Sequence, residues 1–257
     1  MRIRFHFNNT ESVLVIIKEM NRLIKPYVDQ LVVDSVLTDT YTRELERYGS
    51  NSIEITEDLF FFDSQMIIDF IDIFKENEGD DIRWLFALRA IDALLEGFGF
   101  ADSKKLELLH FLKEEFGKEY SMNKSLKLQL DKKYRSNMEK IVGIFYNTQN
   151  TLEVCHIIDL LKVRSDNTKE LVQELKLRDK VGILEHSLFD LLPSYIHMMI
   201  NRLFKTRQRQ HELVIYNFLF KYYTSEIAKN KRQISVSKNV SNLFLSSDIL
   251  TDLITPS

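Results

Sequence analysis

Met1-Arg2-Ile3-Arg4-Phe5-His6-Phe7 alternates polar and apolar residues without a break. A strand turns successive side chains to opposite faces. The pattern therefore predicts a strand with Ile3, Phe5 and Phe7 on one face and Arg2, Arg4 and His6 on the other. Asn8 and Glu11 follow at capping-box spacing. Val13, Ile16, Ile17, Met20, Leu23 and Ile24 then recur at helical period, so residues 10–25 read as an amphipathic helix that Pro26 stops. Leu31-Val32-Val33-Asp34-Ser35-Val36-Leu37 is β-branched and reads as a second strand. The front of the chain thus predicts a small strand–helix–strand unit.

Beyond it the apolar period is helical. Candidate helices cover residues 63–76, 81–96, 102–116, 123–146, 151–178 (with a break near Ser165-Asp166-Asn167), 184–204 and 207–229. The tail after Arg232 is weakly patterned and reads as loosely packed chain or a short terminal helix. Seven glycines and three prolines in 257 residues are too few for a turn-rich sandwich. The expected class is α/β (α+β), mostly helical, with the strand–helix–strand unit packed on a helical bundle and residues 1–257 forming one domain. With 44% hydrophobic and 28% charged residues the chain is not intrinsically disordered. Its 35 basic and 38 acidic residues give a net charge of −3, which predicts no general affinity for nucleic acid.

Cys155 is the single cysteine, so no intrachain disulfide can form. It predicts a reducing, cytoplasmic setting, and a buried thiol acting as a small hydrophobe. No run approaches the roughly 18 apolar residues of a membrane span, and Met1–Phe7 has no apolar signal core. No His-Glu-x-x-His, paired cysteines or Walker loop occurs, and the sequence points to no metal or cofactor.

Three constellations can carry chemistry. Arg2, Arg4 and His6 on one strand face form either a solvated surface or a site for a carboxylate or phosphate, which guanidinium forks bind bidentately. In Thr40-Tyr41-Thr42-Arg43-Glu44-Leu45-Glu46-Arg47-Tyr48-Gly49, a helical turn makes Glu44 and Arg47 neighbours. This is either an ordinary surface ion pair or an oriented cation. In Ser187 to Arg202, Pro193 can open a helix, and Ser194, His197 and Asn201 then share one face. An imidazole between a hydroxyl and an amide suits a general acid–base group, although a lone helix histidine is more often structural.

Together these elements resemble the C-terminal domain of class I lantibiotic dehydratases, also called the thiopeptide-type bacteriocin biosynthesis domain. The resemblance rests on Arg2-x-Arg4, on Thr40-Tyr41-x-x-Glu44-x-x-Arg47-Tyr48-Gly49, on Phe60-Phe61-Phe62-Asp63-Ser64, and on Ser194-x-x-His197-Met198-x-x-Asn201-Arg202, in that order over about residues 1–222. Ser50 stands where a second glycine is usual. The resemblance implies glutamate elimination: a partner esterifies Ser or Thr of a precursor peptide with glutamate from glutamyl-tRNA, and this domain expels the glutamate to leave dehydroalanine or dehydrobutyrine.

The same resemblance implies catalytic roles for Arg2, Arg4, Arg47 and His197, with Glu44, Asn201 and Arg202 in substrate binding or support. It places the chain as a standalone component of a split dehydratase, acting on the leader and glutamylated core of a precursor peptide. A separate glutamyl-tRNA-dependent glutamylation protein is then required. No direct tRNA contact and no cofactor are expected, and a homodimer is compatible with this reading. The alternatives are the thiopeptide [4+2] pyridine-forming cyclisation enzyme and a non-catalytic leader-peptide scaffold.

Overall fold

The structure is a computed structural model and describes residues 3–5, 7, 9–74, 79–146 and 151–251, with side chains except at 79–81 and 234–251. The chain forms two compact units, Met1–Glu44 and Leu45–Ser257.

The first unit holds one helix, α1 (Glu11–Asp29). The Asn9 side chain accepts from the Ser12 amide at 2.9 Å and starts it; Asn8, like Met1, Arg2 and His6, lies outside the described residues. The helix does not stop at Pro26 but runs on to Asp29. A proline here gives up its own amide bond and crowds the carbonyl four residues back, yet the turn beyond it closes through the Gln30 amide on the Pro26 carbonyl at 3.2 Å.

The predicted strand–helix–strand unit is not there: among the described residues the chain has no strand. Ile3–Phe5 and Phe7 are irregular, and Ile3, Phe5 and Phe7 are exposed. Leu31 turns into the left-handed region at φ 58°. The amides of Val32 and Val33 then both bond back to the Tyr27 carbonyl, at 2.9 and 3.0 Å. Their donors close the end of α1 and are not available to a ladder. Alternation and β-branching describe which faces side chains take, but a strand also needs a partner for its backbone.

The second unit is helical throughout: α2 (Leu45–Tyr48), α3 (Ile53–Ile73), α4 (Gly79–Gly97), α5 (Asp102–Glu119), α6 (Lys124–Ser136), α7 (Met138–Tyr146), α8 (Leu152–Lys180), α9 (Leu188–Leu203) and α10 (Gln208–Thr251). The mostly helical expectation agrees with this. α5 lies along α10 and α3 along α8, while α4 and α9 touch each other and both pack on α8 and α10. α4 accordingly buries Phe86, Ala87, Leu88, Ala90, Ile91, Leu94 and Leu95, an apolar set that wraps much of its circumference.

Several boundaries move. α3 begins at Ile53, so Phe60–Ser64 lies inside a helix and does not open one. α8 passes unbroken through Ser165–Asn167, and Thr168, just beyond, turns its hydroxyl back to the Arg164 carbonyl at 2.9 Å. Residues 123–146 divide at Asn137, whose amide caps the Lys133 carbonyl at 2.8 Å. The tail continues as helix to Thr251. Cys155 is exposed, not buried. No helix among the described residues is long and apolar enough to cross a membrane.

Candidate acid–base site

α9 starts at Leu188, five residues before Pro193. The Ser187 side chain caps it by accepting from the Asp190 amide at 3.3 Å. Its apolar stripe, which includes Leu191, Leu192, Tyr195, Ile196, Met199 and Ile200, is buried. That burial fixes the helix rotation and leaves Ser194, His197 and Asn201 on a half-buried face.

Of the predicted triplet, Asn201 meets the ring, whereas the Ser194 hydroxyl accepts from Arg47 and the second partner of the imidazole is Glu212. Asn201 Nδ2 lies 2.8 Å from His197 Nε2. The other ring nitrogen, Nδ1, lies 2.9 Å from Glu212 Oε1 on α10. The His197 side chain is 22% exposed and that of Glu212 is 0% exposed. Glu212 also accepts from the Tyr216 hydroxyl at 2.9 Å and from Arg209 Nη1 at 3.2 Å. Burial first, and then the Glu212 charge, pushes the Tyr216 hydroxyl well above its ordinary range, so it stays protonated and donates. Arg209 stacks on Phe116 with its guanidinium 4.0 Å from the ring centre and also pairs with Glu119 on α5. The Glu119 hydrogen bond raises the Arg209 pKa further, so Arg209 is a permanent cation here.

Glu212 is the partner of His197 that motif reasoning missed. The signal for it was present: Glu212 falls in register with Tyr216, Leu219 and Tyr223 at helical spacing, an acid inside an apolar stripe.

Arg47 reaches the same face of α9. Its Nε donates to the Ser194 hydroxyl at 3.2 Å, one helical turn from His197. The Tyr48-Gly49 part of the motif explains this placement. Tyr48 is buried, stacked on Tyr195 with ring centres 6.2 Å apart and edge-on to Phe60 at 5.5 Å. Gly49 then takes φ +78°, where an added Cβ would sit 3.2 Å from Glu185 Cβ. The next residue, Ser50, donates its amide to Glu185 Oε1 at 3.0 Å, and the Glu46 carbonyl meets His186 Nε2 at 3.0 Å. This seam pins α2 against the entry to α9 and holds Arg47 over Ser194.

The other predicted residues are placed differently. Arg202 lays its guanidinium 4.6 Å from the Phe60 ring centre and donates to the Met198 carbonyl at 2.9 Å. Arg4 and Glu44 belong to the first unit, where the Arg4 guanidinium lies 4.2 Å from the centre of the Tyr41 ring. Arg2 lies outside the described residues.

Two cavities lie away from His197. One of about 170 Å³ opens between α3 and α8 beside Met66, His156 and Leu160. One of about 240 Å³ is lined by Arg89, Asp92, Lys105, Tyr146, Tyr223 and Glu226. In the second, Lys105 meets Asp92 at 2.6 Å, and Glu226 pairs with Lys229 at 2.6 Å. No three His, Cys, Asp or Glu side chains among the described residues form a metal-binding group.

Comparison with known proteins follows the order of these elements. Residues 1–223 match the family described as "Lantibiotic biosynthesis dehydratase C-term", a span that contains Arg47, His197 and Glu212. The subtilin biosynthesis protein SpaB of Bacillus subtilis is 26% identical over 215 residues, covering 79% of this chain and 19% of that protein. The chain therefore spans about a fifth of the length of this relative. No solved structure matches it. A family match over most of the chain, holding the helix that carries His197 and the turn that carries Arg47, establishes that this protein belongs to the C-terminal family of the lantibiotic biosynthesis dehydratases.

Proposed function

We propose that the protein removes glutamate from glutamylated Ser or Thr of a precursor peptide, leaving dehydroalanine or dehydrobutyrine, as a carbon–oxygen lyase. Glutamylation from glutamyl-tRNA is carried out by sequence outside these 257 residues. The observation that carries the reading is the seating of Arg47 on Ser194, one turn from His197, within a chain of this family.

The chemistry asks for those groups. Removal of the α-proton builds negative charge on the adjacent amide oxygen, and the departing glutamate leaves as a carboxylate. A preorganised guanidinium beside both charges contributes several kcal/mol. His197 moves the proton, which contributes about 10²–10⁴-fold. The family resemblance adds Arg2 and Arg4 as further anion-binding cations and Glu44 as support. Arg202, held over Phe60, supports α9.

The test is a synthetic peptide carrying a glutamyl ester on Ser or Thr, incubated with the protein and followed by mass. Loss of one glutamate, abolished in His197→Ala and with the circular dichroism of the variant intact, supports the proposal. An unchanged mass with folded protein and its glutamylating partner present ends it. Conversion of an already dehydrated peptide with glutamyl esters left intact would place the protein among the cyclisation enzymes.

A further inference from the structure

Resting on the elimination reading, we infer that Glu212 is the positioning residue of the acid–base centre: it holds neutral His197 as the Nδ1–H tautomer and leaves Nε2 to take the substrate's α-proton. Glu212 is wholly buried, and an ionised carboxylate in that place survives only if its oxygens are satisfied. They are. Oε1 faces His197 Nδ1 and the Tyr216 hydroxyl, each at 2.9 Å, and Oε2 faces Arg209 Nη1 at 3.2 Å.

An ionised carboxylate only accepts, so the hydrogen between it and the ring belongs to Nδ1. Nε2 is then a lone pair, capped in the resting protein by the Asn201 amide nitrogen at 2.8 Å, and the substrate has to displace that donor before Nε2 can take the α-proton. When Nε2 gains a proton, a half-turn of the Asn201 amide presents its oxygen instead. Both protonation states of the ring therefore have a partner on each side.

The step balances. The substrate Cα–H bond breaks and its proton goes to Nε2. The bonding pair becomes the Cα=Cβ double bond, and the Cβ–O bond breaks with its pair leaving on the glutamate carboxylate. The imidazolium so formed lies against the Glu212 charge. Nε2, on a ring that is 22% exposed, returns the proton to water. The charged and titratable groups at this centre are Glu212, Arg209 and Tyr216 on α10, with Glu119 on α5 behind Arg209 and Arg47 on α2 one turn away on Ser194.

Glu212→Gln separates positioning from mere packing. Arg209 can only donate, so it claims the amide oxygen of the new side chain. The amide nitrogen then faces Nδ1 and drives the ring proton to Nε2. We expect kcat to fall at least about 100-fold with KM within about threefold, by analogy with the wrong-tautomer loss in serine proteases. Glu212→Asp, which keeps the charge, should recover part of kcat.

The direct readout is the ring ¹⁵N spectrum at a pH where His197 is neutral. The wild-type protein should show Nδ1 protonated and Nε2 bare, and Glu212→Gln the reverse. A wild-type ring with its proton on Nε2 overturns the inference, whether or not the variant folds. So does a Glu212→Gln protein with unchanged tautomer and unchanged kcat. The spectrum needs no turnover. If the ring has the expected tautomer and neither protein removes glutamate, the elimination reading fails alone and the assignment of Glu212 stands.

Discussion

Two buried carboxylates in the second unit meet cations in different ways. Asp63 on α3 is 1% exposed and accepts from Arg164 Nε on α8 at 2.9 Å, with the arginine side chain itself only 5% exposed. Glu212 is equally buried, but its partner ring keeps a second nitrogen directed away from the carboxylate, toward Asn201. Arginine cannot release its proton in a protein, so the first pair can only hold α3 to α8. Histidine changes protonation near neutral pH, so the second pair can exchange a proton. Burial alone does not mark function; the chemistry of the partner, and whether it has an outward-facing atom, does.

The largest effect expected from this contrast is on stability. Asp63→Ala leaves Arg164 charged and unpaired in the core, which costs about 3–5 kcal/mol in denaturant unfolding. The double replacement Asp63→Leu with Arg164→Met removes both charges and should restore most of that loss. A double variant as unstable as the single one would show that packing, not charge, fixes the α3–α8 contact.

Arg47→Lys comes next and acts on turnover. Lysine keeps the charge but loses the guanidinium Nε that seats on Ser194, so kcat in the glutamyl-peptide assay should fall about tenfold, or ~1.4 kcal/mol, without loss of folding. Full activity would mean that charge alone is used at that position.

The smallest effect belongs to a half-buried pair at the surface. The hydrogen bond from Lys221 holds the Asp131 carboxyl below its ordinary range, joining α6 to α10. A carboxyl depressed on folding contributes stability above its unfolded pKa, and that contribution is lost as pH falls through the folded value. Asp131→Asn should therefore flatten the stability profile only below about pH 4, by less than about 1 kcal/mol, because solvent screens the pair.

How much of this was legible follows from what each signal depends on. The helices of the second unit announce themselves because a buried stripe repeats at 3.6 residues whatever covers it. The face shared by Ser194, His197 and Asn201 was equally legible, since i,i+3 and i,i+4 spacing is a property of one helix, and the Asn201 contact to His197 agrees with it. The strands were misread because pairing is not a local property. Val32 and Val33 carry β-branched side chains but spend their amides on Tyr27. Pro26 reads as a stop because its ring opposes a helical turn, yet the Gln30 and Leu31 amides close the turn after it on the Pro26 and Val28 carbonyls. Arg202 stands over Phe60 of α3, a contact between helices that its spacing along α9 does not announce. Glu212 was overlooked because its partner sits on a different helix, and contacts across a turn leave no period in the sequence.

The ring and its carboxylate are fifteen positions apart, on consecutive helices joined only by Phe204–Arg207. That link is stiff: Phe204 lies flat on His211 with ring centres 3.8 Å apart, and Arg207 takes the left-handed conformation at φ 56°. The dyad is thus the internal property of one helical hairpin, a contact of low sequence separation that the chain can close early and cheaply. Motion elsewhere in the bundle would carry the two groups together without spoiling their alignment. A peptide that tunes this centre would have to do so from the open flank of α9, where Arg47 rests.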